Sequence, residues 1–300
     1  MTRTDGTSDV NALQKLGVIA NTDHLALDPL LARLAQTAEE LGLSLYPEAT
    51  LGSRLPGAGT LEEAWNGIDA VLTIGGDGTF LRGARSAAPR GVPVLGCNLG
   101  RLGFLTAVGQ DDLEPALAQL AAGECSEERR LTLDVRVDHQ GTESTPTFYS
   151  VNDAVIHMSG FARMITFRML ADKEEVGQYS ADGLILSTAT GSTAYSLSAG
   201  GPILVPWLDA IVATPISPHT LAVRPVILPA ETVVTVEVLS EGENMALTVD
   251  GQVGADLRGG DRVVVSPSEH AVRMLRLPDY SFFSVLRRKL RWGDVRPADR

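Results

Sequence analysis

Ala70-Val71-Leu72-Thr73-Ile74-Gly75-Gly76-Asp77-Gly78-Thr79-Phe80-Leu81 decides the first half of the fold. The opening five residues read as a short buried strand, and a run of glycine and aspartate closes it abruptly. From Phe80 to residue 88 the spacing turns helical, until Pro89 stops it. A strand running through such a turn into a helix lets backbone amides approach an anion. No Cβ stands in the way, and the helix start adds a favourable dipole.

Working outward, Leu16-Gly17-Val18-Ile19-Ala20 reads as another buried strand. Residues 28–43 follow with a helical apolar period through Leu30, Leu31, Leu34, Ala38 and Leu41. Pro93-Val94-Leu95-Gly96 gives a third strand and residues 111–122 a further helix. Strand and helix alternating over about 120 residues predict a parallel α/β domain over residues 1–125. Beyond Gly123 the pattern changes to short β-like runs: 131–138, 148–157, 164–171, 184–187, 211–215, 221–228, 233–239, 246–249, 263–266 and 272–277. Turn residues such as His139-Gln140-Gly141 separate many of them, so residues 126–277 are expected to form a β-rich, sandwich-like domain. Residues 281–292 turn helical again and carry Arg287, Arg288, Lys289 and Arg291, a pattern that suits a solvated face.

The 300 residues are 44% hydrophobic and 21% charged, enough apolar surface for real cores. A net charge of −12 repels phosphate backbones and anionic lipid heads, so neither nucleic acid nor a membrane is expected as partner. Cys97 and Cys125 have no metal or disulfide spacing, and the five histidines are scattered, so no protein-bound metal is expected. Inert thiols and a polar start without an apolar signal core point to the cytoplasm.

Three constellations carry chemistry. In the first, Gly75, Gly76, Gly78 and Thr79 form a phosphate loop that is neither a Walker A loop nor a GxGxxG fingerprint, because Leu81 stands at the third glycine. A carboxylate among phosphate-binding glycines repels its ligand unless it has a task. Asp77 therefore reads either as a general base on an attacking hydroxyl or as an ordinary Asp-Gly turn. The second constellation is Asp182 to Pro202, an apolar strand that becomes a hydroxyl-rich loop with a short helix at 193–199. Such a loop suits sugar hydroxyls and phosphates; Tyr195 either stacks on a flat ring or fills a core. The third is Asn152-Asp153, polar residues set in an otherwise apolar strand. Asn matches an adenine edge and the carboxylate can accept from ribose hydroxyls; the plainer reading is a wet strand end. His219 reads as structural, and Asp250-Gly251-Gln252 first as a turn.

Taken together, these residues resemble the NAD kinase family. GGDGTFL (75–81), NLGRLGFL (98–105), ND (152–153), DGLILSTATGSTAYSLSAGGP (182–202), PISPHTL (215–221), DGQ (250–252) and DYSFF (279–283) follow that family's order. GGDG alone also resembles lipid and sphingoid-base kinases; the 182–202 run separates the two. The resemblance implies phosphoryl transfer from ATP or polyphosphate to the adenosine-ribose 2′-hydroxyl of NAD. The first domain would be a Rossmann-like α/β domain and the second β-rich, with NAD between them; residues 278–300 would pack back on the first, and the assembly would be a homodimer or homotetramer. Asp77 would be the general base, Gly78 would lie against the nucleotide, and Asn152 and Asp153 would hold the adenosine. Asp182 would meet the nicotinamide end, while Thr193, Ala194, Tyr195, Ser196, Leu197 and Ser198 would line the dinucleotide. Arg82, Arg163 and Gln252 would also face ligand, and Mg²⁺ or Mn²⁺ would arrive with the phosphate donor. A lipid kinase, or a non-catalytic NADP-binding module, is the alternative. The sequence departs from the family pattern at Asp153, usually Glu, at Ala189, usually Pro, and at Ser180-Ala181, where some relatives carry Arg.

Overall fold

Strands buried at every position belong to a sheet covered on both faces. In the computed structural model, which describes residues 7–9, 11–100, 103–141, 144–159, 164–241 and 245–292, Ala70–Ile74 and Val94–Asn98 are buried at all five positions. The chain divides into two units, residues 1–128 with 273–300, and residues 129–272.

The first unit is built on one sheet in the order Thr7–Asp9, Ser126–Arg130, Val272–Arg276, Val94–Asn98, Ala70–Ile74, Lys15–Ala20, Ser44–Pro47. Its centre is parallel: Leu16 pairs with Ala70, and Val71 with Val94. Helix Leu27–Leu41 buries Leu30, Leu31, Leu34 and Ala38 of the predicted stripe together with Leu27, leaves Leu41 exposed, and stops where Gly42 turns left-handed at φ 69°. Helix Leu113–Ala122 buries Leu113, Ala116, Leu117 and Leu120 in the same core and stops at Gly123, φ 73°. Arg33 grips Glu114 with two hydrogen bonds of 2.6 and 2.7 Å, tying one helix to the other. The 272–277 run, read from sequence with the β-rich segments, is a strand of this sheet, Met274 pairing parallel with Val94. Helix Phe282–Leu290 closes the unit, with Phe282, Val285 and Leu286 buried and Ser281 capping its start.

The second unit is a sandwich of two six-stranded antiparallel sheets. One runs Val226–Pro229, Ala210–Ile216, Gly183–Thr188, Asp153–Met158, Met245–Val249, Val253–Leu257. The other runs Glu174–Ala181, Ile165–Ala171, Val234–Val238, Arg262–Pro267, Leu133–Asp138, Phe148–Ser150. Alternate residues of both enter a single core, among them Val135, Ile156, Phe167, Leu186, Val236 and Leu247. The run 148–157 is two strands in different sheets: Phe148–Ser150 pairs with Leu133–Asp138, and Asp153–Met158 with Gly183–Thr188. Asn152 therefore stands in a crossover between sheets rather than inside a strand. Edge strands Glu174–Ala181 and Val253–Leu257 carry exposed polar residues and lack the apolar run by which sequence finds a strand.

Candidate active site

In the first unit, the glycine loop leaves the sheet at Gly75, whose amide donates to the Cys97 carbonyl at 2.9 Å. Gly75 takes φ 157°, and a Cβ there would overlap the Thr79 side chain, so the tight exit needs glycine. Helix Asp77–Ala87 follows, with Gly76 extended before it and Asp77 its first residue. Gly76 and Gly78 are exposed, and a Cβ on Gly76 would meet nothing within 4 Å. The helix thus directs its positive end toward open space, the geometry that receives phosphate oxygens.

The Asp77 carboxylate does not fold back into its own turn. It accepts from the amides of Phe104 (3.1 Å) and Leu105 (3.2 Å), two residues of the second motif. That motif is braced from the sheet. Asn98 donates to the Thr106 hydroxyl at 3.0 Å, and Thr106 accepts the Gly103 amide at 3.0 Å. A Cβ on Gly103 would overlap the Asp77 carboxylate itself. Gly103 and Thr106 thus stand directly behind the Asp77 carboxylate, two positions for which the sequence alone suggests no role. Gly103 is the second glycine of NLGRLGFL, but its partner could not be read from spacing, and Thr106 lies one residue beyond that motif. Two amides fix the carboxylate's direction and leave it capacity for a further donor.

The Arg82 guanidinium bonds the buried Glu48 carboxylate, with one contact at 3.0 Å, and the Ala20 carbonyl at 2.8 Å, while its side chain stays 43% exposed. Glu48 also receives the Ala20 amide at 2.8 Å. A buried carboxylate needs a charged partner, and Arg82 is that partner; the hydrogen bond raises the Arg82 pKa further. Nearby, the exposed Lys289 ammonium lies 5.5 Å from the centre of the Phe104 ring.

In the second unit the crossover 150–153 is the centre. The Asp250 carboxylate collects the Ser150 hydroxyl (3.1 Å) and the amides of Val151 (3.1 Å), Asn152 (2.8 Å) and Asp153 (3.2 Å). Thr188 continues the bracing: its hydroxyl donates to the Val151 carbonyl at 2.7 Å and accepts the Gly191 amide at 3.1 Å. A Cβ on Gly191 would overlap the Asn152 backbone, which is why the hydroxyl-rich loop turns on glycine here. The Asn152 side-chain oxygen and the Ser187 hydroxyl are buried without a partner. Asp153, only 5% exposed, is paired across the strands with Ser187. Burial first, and the Asp250 charge second, push its carboxyl up to about 7.

The hydroxyl-rich loop continues as one 3₁₀ turn, Gly191–Thr193, and a single α-turn, Tyr195–Ser198, shorter than the expected 193–199 helix. Ala194 breaks the two with φ −99°, ψ −127°. Tyr195 is 47% exposed, which removes the core-filling reading. Ser198 is exposed, and Thr193, Ala194 and Leu197 are half-buried. Ser196 is buried and bonds Thr214 at 2.9 Å, where it acts as a strut. Gln252 is exposed in the turn that carries Asp250. Asp182 is exposed at the far end of Gly183–Thr188, about 20 Å from Thr188 at ~3.3 Å per residue, so this unit does not bring it to the crossover. Arg163 lies outside the described residues. Among the described residues, no three His, Cys, Asp or Glu side chains converge on a metal position.

A parallel sheet opening into a GGDG helix start, joined to a sandwich with a polar crossover, defines a two-domain kinase of the glycine-aspartate-loop class. The ATP-NAD kinase N-terminal domain profile matches residues 16–125 and the ATP-NAD kinase C-terminal domain profile residues 151–277. The chain belongs to the ATP-NAD kinase family. It is 44% identical to the NAD kinase of Gemmatimonas aurantiaca over 286 residues, 95% of this chain and 98% of that one. It is 41% identical to the NAD kinase of Moorella thermoacetica, covering 96% and 92% of the two chains. An NAD kinase from Archaeoglobus fulgidus in complex with ATP superposes with a TM-score of 0.73 at 25% identity, over 93% of this chain and 99% of that chain. Yeast NADH kinase complexed with NADH shares the fold, at TM-score 0.88 and 22% identity, over 100% and 95% of the two chains. No helix among the described residues is long and apolar enough to cross a membrane.

Proposed function

We propose that this chain transfers the terminal phosphoryl group of ATP to the adenosine-ribose 2′-hydroxyl of NAD, giving NADP and ADP. The observation that carries the reading is the Asp77 carboxylate, held by the Phe104 and Leu105 amides at the edge of an open glycine loop. A pure phosphate binder gains nothing from that charge. A base positioned to take the hydroxyl proton as phosphorus arrives gains roughly 10²–10⁴ in rate. Relatives named NAD kinase, at 44% and 41% identity over nearly the whole chain, leave the lipid-kinase reading without support.

In this scheme the exposed amide end of helix Asp77–Ala87 receives donor phosphates. Asn152, half-buried at the crossover, meets the adenine edge with its side-chain amide. Asp153 meets a ribose hydroxyl, and Tyr195 offers its exposed ring to a flat group. Arg82 acts through Glu48, fixing the strand ends behind the loop, and Ser196 supports the loop through Thr214. A divalent cation, Mg²⁺ or Mn²⁺, enters as part of the donor, bound through its phosphates. Polyphosphate as a second donor, a homodimer or homotetramer, and a cytoplasmic location complete the proposal.

The test is a coupled assay with an NADP-specific dehydrogenase, supplying NAD with ATP or polyphosphate, beside an assay on dispersed diacylglycerol. NADP formation with either donor is expected. Phosphorylation of the lipid with none of NAD would overturn the reading.

A further inference from the structure

Asp250 came from sequence as the first residue of a turn. Its backbone is left-handed, φ 51°, a conformation that Asp and Asn tolerate better than other residues with a Cβ. From that position its carboxylate reaches across to the other side of the chain crossing. It takes three consecutive amides, Val151, Asn152 and Asp153, together with the Ser150 hydroxyl, while its own amide donates to the Asp153 carbonyl at 2.9 Å. Val151 and Asn152 lie between the last residue of one strand, Ser150, and the first of the next, Asp153, so no ladder partner faces their amides. Asp250 is 8% exposed and replaces the missing ladder with one charged acceptor.

We propose that Asp250 is a positioning residue for dinucleotide binding: it fixes the crossover from which Asn152 and Asp153 present their polar atoms. This rests on the reading of Asn152 and Asp153 as NAD contacts. The geometry is specific. The two side chains offered to the ligand lie in the very peptides whose amides Asp250 holds, so their direction follows from its place. The electrostatics follow from the neighbours. Strands Gly183–Thr188 and Met245–Val249 bring no titratable group against Asp153. Tyr149 donates to the His270 carbonyl and Arg130 reaches the Thr190 hydroxyl at 3.4 Å. Asp250 is the charge that acts on Asp153, adding to burial in holding its proton.

The experiment uses the full chain carrying Asp250→Asn, with folding verified by circular dichroism. NAD affinity is read by titration calorimetry across pH 5.5–9, beside KM for ATP. Asn keeps one acceptor oxygen but loses the charge and sets an NH₂ against backbone donors. NAD affinity should fall about 10- to 100-fold, the scale of hydrogen bonds to a charged group, with KM for ATP within about twofold. The midpoint of the pH dependence of NAD binding should move to lower pH, and Asp250→Glu should return it toward the wild-type value. A purely structural role would not move that midpoint. If Asp250→Asn does not fold, Ser150→Ala removes one bond and should weaken NAD binding about threefold or more. Unchanged affinity and midpoint in a folded Asp250→Asn, or unchanged affinity in Ser150→Ala, overturns the assignment. A wild-type chain that forms no NADP overturns the reaction instead, which the calorimetry reads separately.

Discussion

At Gly103 the absent side chain is itself the functional feature. A Cβ would occupy the space of the Asp77 carboxylate, and the Asn98–Thr106–Gly103 relay exists to hold the loop that close. Gly103→Ala should therefore cost about 10²-fold in kcat, as expected when a base is displaced, while the melting temperature stays within a few degrees. A kcat within threefold of wild type would contradict the account of that contact. Asp153 gives a prediction on stability. Its carboxyl rises from the ordinary 3.8 to about 7 in the folded chain. Between those values the unfolded chain has released a proton that the folded chain retains, so stability falls as pH rises through the window and levels off above 7. Asp153→Asn cannot ionise and removes that slope. Chemical denaturation at pH 5 and pH 8 should show a smaller gap between the two conditions in the variant; an equal gap would refute the cause assigned here.

At the scale of elements, the parts legible in the sequence are those whose period is unbroken. Helix Leu27–Leu41, helix Leu113–Ala122 and the buried parallel strands announce themselves through apolar spacing and terminal glycines. The crossover at 150–153 was not legible, because a chain that switches sheets keeps its extended, apolar look on either side of the switch. Nor was the assignment of Val272–Arg276 to the first sheet, since the partner of a strand is not written in its own residues. The glycine motifs were visible as motifs, yet what each glycine makes room for appeared only with the neighbours in place. Gly191 illustrates this. Alanine there must displace the Asn152 backbone, so Gly191→Ala should weaken NAD binding about tenfold or more, with KM for ATP little altered. Calorimetry with NAD checks it, and unchanged affinity would separate the loop from the crossover.

For the whole molecule, a net charge of −12 works against every anionic substrate. Local amides at the start of helix Asp77–Ala87 act against that mean field, and dissolved salt screens the field over about 8–10 Å while leaving close hydrogen bonds intact. Raising ionic strength from about 20 to 150 mM, at fixed free divalent cation, should therefore lower KM for ATP modestly. A rise would indicate that long-range attraction by cations dominates donor binding. The Asp77 reading spans sequence, loop and fold, and one comparison tests it most directly: turnover and NAD affinity of Asp77→Asn beside wild type. Asp77→Asn should lower kcat by roughly 10²–10⁴ and leave NAD affinity within a few-fold. A variant that makes NADP at the wild-type rate would contradict the Asp77 reading.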